Sequence, residues 1–287
     1  MPTSAELYYF AHAAENENNN RWPVILIHGA GGIHLSWPPQ IRRLAGETIY
    51  ALDLPGHGQS EGTGRQSIEA YADDVNLFMQ SLKIRAAVIV GISMGSAIAL
   101  TLALKYPKKV KALALLGSGP KLRVAQTVLE TAGNPNTFES AVDGINTNCF
   151  SEDAQQNVVQ LSKQAMLKIR PPVLLGDFLA CNAFNVMDQL EKITIPTLII
   201  CGAEDKMTPT KFSESLHAGI AKSTLHILEH AGHMVMLEKP DVVADLLKQF
   251  LDKLPVRRRP AKKRLVPKGE VDSDQPTESA SLILPPK

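Results

Sequence analysis

The chain has 287 residues and a mass of 31.2 kDa, is 44% apolar and 21% charged, and carries a net charge of +1. This is ordinary globular composition, sufficient for a large core, and the charge balance excludes a global drive toward nucleic acid or an acidic partner. Three widely spaced cysteines, Cys149, Cys181 and Cys201, fit neither a zinc pattern nor a disulfide framework and point to a reducing compartment. Residues 1–20 lack a basic segment followed by an apolar one, and no apolar stretch nears the roughly 20 residues that span a bilayer. The expectation is a soluble cytoplasmic protein.

A strand is predicted over 7–10, a polar turn over 15–20 and a buried strand over 23–28, followed by the loop His28-Gly-Ala-Gly-Gly32. A short helix over 36–44 and a strand over 48–53 come next, then Leu54-Pro-Gly-His-Gly-Gln-Ser60. Ser67 is placed to cap a helix over 67–82, with Ile68, Tyr71, Val75 and Phe78 at helical spacing. Strands over 87–90 and 110–116 flank a small-residue helix over 97–105. Continuous apolar strands alternating with helices indicate a mostly parallel sheet covered on both faces.

The alternation stops at Gly117-Ser-Gly-Pro120. Residues 119–190 show helical patterns, such as 154–167 and 175–187, and no buried β run, so they read as an inserted helical cap. Strands over 196–201 and 223–228 and helices near 211–218 and 242–254 then complete a core formed by 1–118 and 191–254. From Pro255 onward eight basic and four acidic residues leave a tail of +4, against 22 basic and 25 acidic in the body. Residues 255–287 are expected to be a disordered tail.

Gly91-Ile-Ser-Met-Gly95 lies where a buried strand turns sharply into a helix. G-x-S-x-G in that setting holds the serine backbone under strain, with Oγ projecting from the sheet, and needs small neighbours where helix doubles back on strand. A serine hydroxyl is a weak nucleophile at neutral pH and needs a base, which needs an orienting acid. The chain order Ser, acid, His places these on loops after later strands: Gly202-Ala-Glu-Asp205 and Glu229-His-Ala-Gly-His233. Spacing leaves Glu204 against Asp205, and His230 against His233, undecided. His57 precedes the serine and reads as structural. No metal constellation emerges from the eight histidines.

The chain resembles the α/β-hydrolase superfamily, in its lidded branch of carboxylesterases, meta-cleavage-product hydrolases and perhydrolases. The matching stretches are His28-Gly-Ala-Gly-Gly32, Asp53-Leu-Pro-Gly-His-Gly-Gln-Ser60, Gly91-Ile-Ser-Met-Gly95, Gly202-Ala-Glu-Asp205 with Pro209, and Gly232-His233 with Glu238-Lys-Pro240. The resemblance implies an α/β-hydrolase fold with nucleophile Ser93, acid Asp205 and base His233. It implies oxyanion donors at the backbone N–H groups of Met94 and Ala30, and no cofactor or metal. A cap at this place excludes water and shapes specificity. His34 and Trp37 are expected to border the site; Phe178 and Phe184 are expected to line an acyl pocket, and of Met166, Leu167, Leu179 and Met187 some join them while most pack the core of the insertion. The expected activity is cleavage of small to medium apolar carboxylic esters. C–C hydrolysis of vinylogous diketo acids by the same triad is the alternative, and a ligand-binding protein with little turnover a further one. The expected partner is a small-molecule ester, with no nucleic acid and no membrane span; the oligomeric state is open.

Overall fold

The computed structural model describes residues 3–14 and 20–257. The predicted polar turn lies mostly, and the tail almost wholly, outside the described residues. Eight strands form one sheet: β1 (Thr3–Ser4), β2 (Leu7–His12), β3 (Val24–Ile27), β4 (Ile49–Leu52), β5 (Ala87–Ile92), β6 (Val110–Leu116), β7 (Thr197–Gly202) and β8 (Ser223–Leu228). Their order is β1-β2-β4-β3-β5-β6-β7-β8. The β1–β2 and β2–β4 pairings are antiparallel, and every pairing from β4 to β8 is parallel.

The central strands are apolar throughout because both faces are covered. Ile25, Ile27 and Ile89 point to one face, which α2 (Ile68–Ser81) and α3 (Met94–Lys105) bury. Val24, Leu26, Val88 and Val90 point to the other, beneath α1 (Pro39–Arg42) and α10 (Pro240–Asp252). Ser67 caps α2 as its position predicts, its Oγ accepting from Ala70 N–H at 3.2 Å.

Four helices occupy the stretch between β6 and β7: α4 (Gln126–Thr131), α5 (Phe138–Cys149), α6 (Gln156–Met166) and α7 (Pro171–Ala183). The first two went unseen in the sequence, α4 because it is short and α5 because a polar residue, Asn146, sits on its buried face and Gly144 interrupts the helix. Helix α7 starts four residues before its predicted 175, because Pro171 and Pro172 fit the first turn of a helix. The remaining helices are α8 (Thr210–Gly219) and the single turn α9 (Val235–Glu238). Among the described residues no helix is long and apolar enough to cross a membrane.

Candidate active site

Strand β3 lies between β4 and β5, so the chain leaves it to one side and later returns on the other. Such a switch point opens a crevice at the carboxyl ends of the strands. The loop after β3 and the turn after β5 meet there: a Cβ built on Gly29 would lie 3.3 Å from Ser93 Cβ.

Ser93 sits in the turn between β5 and α3 at φ 54°, ψ −118°, a strained backbone for a residue with a side chain. The flanking glycines are dictated by packing. A Cβ on Gly91 would come 2.2 Å from Gly95 C and O, and one on Gly95 would come 2.2 Å from Ile27 O. The turn is pinned from behind. Ser93 N–H donates to Leu116 O at 2.9 Å, and Ser96 Oγ donates to Gly91 O at 2.7 Å while accepting from Leu116 N–H. Met94 opens α3, where an N–H has no intrahelical partner and the helix dipole is positive.

Asp205 and His233 come together at the ends of β7 and β8, with Nδ1 2.9 Å from Asp205 Oδ2. Both are buried, at 4% and 3% exposure. The other carboxylate oxygen accepts from Met207 and Thr208 N–H at 2.9 and 2.7 Å, and Thr208 Oγ1–H donates to Oδ2 at 2.8 Å. Burial alone would raise this carboxyl's pKa, but His233 and the Thr208 bonds outweigh it and hold Asp205 below its ordinary value. Asp205 does not cap α8, whose N-cap is Pro209. His233 backs onto the end of β6: a Cβ on Gly117 would lie 3.1 Å from its Nδ1. Ser93 and His233 thus flank the same strand end, since Leu116 binds the Ser93 amide. The competing residues go elsewhere. His230 is exposed and pairs with Asp153 at 2.8 Å, and Glu204 is half-buried beside that pair.

The loop after β3 is braced by buried groups. Leu54 N–H can only donate, so His28 Nε2 accepts it at 3.0 Å, and the imidazole proton lies on Nδ1, 2.7 Å from Gly29 O. Burial and the neighbouring His57 push the His28 pKa down to about 4, in agreement with this neutral form. Asp53 Oδ1 accepts from His34 N–H and faces His34 Nδ1 at 2.9 Å, and its Oδ2 accepts from Gln59 N–H.

Two expected pocket residues need correction. His34 is turned inward onto Asp53 and against the Tyr8 ring, so what it holds is the loop. Trp37 is wholly enclosed in the core cluster with Val24, Leu26, Ile41 and Leu247, on the α10 face of the sheet. Of the residues between β6 and β7, Phe178 belongs to the apolar cluster against which Ala30 and Met234 pack. Phe184 follows α7 and lies in the cluster shared with α2 and α3, its carbonyl 3.4 Å from Leu122 N. Leu179 and Met187 face outward. Met166 lies over the β3 loop together with Leu174, which the sequence did not single out: a Cβ on Gly31 would meet Leu174 Cδ1 at 2.8 Å and Met166 Cγ at 3.2 Å.

Three polar residues went unnoticed as site components. Asp177, on α7, is fully buried and accepts from Gly31 N–H at 2.8 Å and Tyr71 Oη–H at 2.5 Å, with His57 Nε2 2.8 Å away. Thr208 supports Asp205. Glu238 accepts from Gly232 N–H at 2.8 Å and from Ser151 N–H and Oγ–H at 2.9 and 2.6 Å, tying the His233 loop to the segment after α5. A lone aspartate amid the apolar run Val173-Leu-Leu-Gly-Asp-Phe-Leu-Ala180 was the available signal for Asp177, because unpaired carboxylates are almost never buried.

A strained serine at a strand-to-helix turn, a paired carboxylate and imidazole on later loops, and a glycine-rich loop facing the serine define an α/β-hydrolase site. The alpha/beta hydrolase fold family matches residues 23–240, and the chain belongs to it. It is 28% identical over 248 residues to a pimeloyl-[acyl-carrier protein] methyl ester esterase of Neisseria meningitidis serogroup C, covering 80% of this chain and 93% of that protein. It is 32% identical to a thermophilic esterase of known structure (TM-score 0.73; 87% of this chain and 99% of that one). The enol-lactonase of Burkholderia xenovorans LB400 superposes with a TM-score of 0.80 over 86% of this chain and 96% of that one, at 23% identity, which speaks for the fold alone.

Proposed function

We propose that the protein is a serine hydrolase of carboxylic esters with small to medium apolar acyl groups, working through an acyl-enzyme. The observation that carries this is Ser93 held at φ 54° between the first N–H of α3 and the Gly29–Gly32 loop, with a buried Asp205–His233 pair on the neighbouring strand ends. The esterases among the relatives support the same chemical class.

His233 takes the Ser93 proton as Oγ attacks the ester carbonyl carbon. Asp205 accepts the Nδ1–H, fixes the tautomer that leaves Nε2 free as base, and stabilises the imidazolium that forms. The carbonyl oxygen becomes an oxyanion bound by the N–H groups of Met94 and Ala30; losing one such donor costs about 3–4 kcal/mol of barrier. His233 then protonates the leaving alkoxide as the C–O bond breaks. Water, deprotonated by His233, attacks the acyl-enzyme carbonyl; the bond to Ser93 Oγ breaks, the carboxylic acid leaves, and Ser93 regains its proton from His233. The cap excludes bulk water over these steps.

A fluorophosphonate probe with mass mapping tests the nucleophile. Labelling is expected at Ser93 and lost in Ser93→Ala; labelling elsewhere, or none, overturns the reading. A p-nitrophenyl acyl series assayed beside a ring-fission diketo acid tests the bond cleaved. Turnover of the diketo acid alone would replace ester cleavage with C–C hydrolysis.

A further inference from the structure

We propose that Asp177, carried by the cap, is a positioning residue that holds the Gly29–Gly32 loop in register with Ser93, so that the oxyanion site is complete only with the cap in place. This rests on the reading of Ala30 as an oxyanion donor. Ala30 lies between Gly29, which abuts Ser93, and Gly31, whose N–H donates to Asp177 Oδ2. The Gly31 N–H lies in the Ala30–Gly31 peptide plane, so holding it limits how far Ala30, and with it the Gly29–Ala30 plane that carries the Ala30 N–H, can turn. A glycine-rich loop has little intrinsic preference for that geometry. Within the loop, Gly32 N–H closes a turn onto Gly29 O at 3.0 Å, so Asp177 supplies the hold from outside.

Charge makes this arrangement workable. A bare carboxylate one residue from the oxyanion donor would oppose the developing negative charge in a water-poor site. His57 answers it. Its Nδ1 faces Pro55 O at 3.0 Å and its Nε2 faces Asp177 Oδ2, both acceptors, so both nitrogens carry protons and the ring is an imidazolium. Tyr71 Oη–H occupies Oδ1 and itself accepts from Arg65 N–H at 2.9 Å. Asp177 and His57 are together neutral, every polar atom of the carboxylate is satisfied, and the Gly31 amide is held without adding a net negative charge beside the reaction. The cap helix also abuts the core in the turn just before Asp177. A Cβ on Gly64 would lie 3.1 Å from Val173 Cγ1, and one on Gly176 would lie 2.8 Å from Arg65 O.

The test compares Asp177→Ala and Asp177→Asn in the full chain, by p-nitrophenyl ester kinetics and by hydrogen exchange of the Gly31 amide followed by NMR. In Asp177→Ala, kcat is expected to fall on the order of 100-fold, as for a misplacement of about 1 Å at a reacting group, with KM within about threefold. Gly31 exchange should quicken on the order of 100-fold. Asn can turn its oxygen to Gly31 and its amide to the Tyr71 oxygen, so Asp177→Asn should recover most of both readouts. A purely structural role would lower thermal stability equally without the kcat-selective loss or the rescue. Should Asp177→Ala not fold, Asp177→Ser, which leaves room for water at Tyr71 and His57, carries the same expectation. Folded Ala or Ser variants with native kcat and native Gly31 exchange overturn the proposal. If the native protein neither turns over esters nor labels at Ser93, it is the esterase reading that fails. The Gly31 exchange comparison then still decides whether Asp177 anchors the loop.

Discussion

Gly95→Ala probes the packing that presents Ser93. Its Cβ would lie 2.2 Å from Ile27 O, 2.6 Å from His28 O and 2.8 Å from Ile27 C, all backbone atoms that cannot rotate away. Relief needs a separation of about 1 Å between the start of α3 and the end of β3. Those are the two segments that carry Met94 N–H and the Gly29–Gly32 loop, so the proposed oxyanion donors move apart by a similar distance. A displacement of about 1 Å is worth on the order of 100-fold in rate, and overpacking of this kind costs about 1–3 kcal/mol of stability. Gly144→Ala is the control. It lies inside α5 with nothing within 4 Å of the added methyl, so it should keep native kcat and gain about 0.5–1 kcal/mol from helix propensity. Ester kinetics and chemical denaturation of the two variants form the assay. A Gly95→Ala protein with native kcat and native stability would refute the claim that close approach of β3 and α3 sets the site.

Three further outcomes follow from the same contacts. Asp205→Asn should lower kcat on the order of 10⁴-fold by favouring the wrong His233 tautomer. It should also flatten the acid limb of stability, because a depressed carboxyl stabilises the native state above its unfolded pKa near 4 and loses that as pH falls through its native value. Glu238→Ala strands the N–H groups of Gly232 and Ser151, so denaturation should show a loss of about 1–3 kcal/mol, with a drop in kcat from the loosened His233 loop. For His57, burial alone would lower the pKa, but Asp177 outweighs it and raises it. Its contribution is therefore full below the unfolded value near 6.5 and is lost as pH rises through the higher native value. The stability gap between the native protein and Asp177→Asn should accordingly narrow as pH rises above the unfolded value near 6.5, and a constant gap would exclude an imidazolium at His57.

The sequence by itself determined the sheet and the elbow. Parallel strands buried on both faces must be apolar at every position, as in 87–92 and 197–202, and that signal is local. The glycines at 91 and 95 were legible for a related reason, since a sharp strand-to-helix turn admits no other residue at its crossing. The sequence also offered Ser93, Asp205 and His233 as the proposed triad, although preferring Asp205 over Glu204 and His233 over His230 needed the family resemblance. What only the tertiary structure decided is where long-range partners fall. Trp37 and His34 follow the glycine-rich loop closely in sequence, yet the chain turns there, so one enters the α10 face of the core and the other turns onto Asp53. Asp177 lies 146 residues from Gly31 and 120 from His57. Its place beside them is set by how α7 lies across the loops after β3 and β4, and a contact between surfaces so far apart in the chain leaves no periodic trace in either segment.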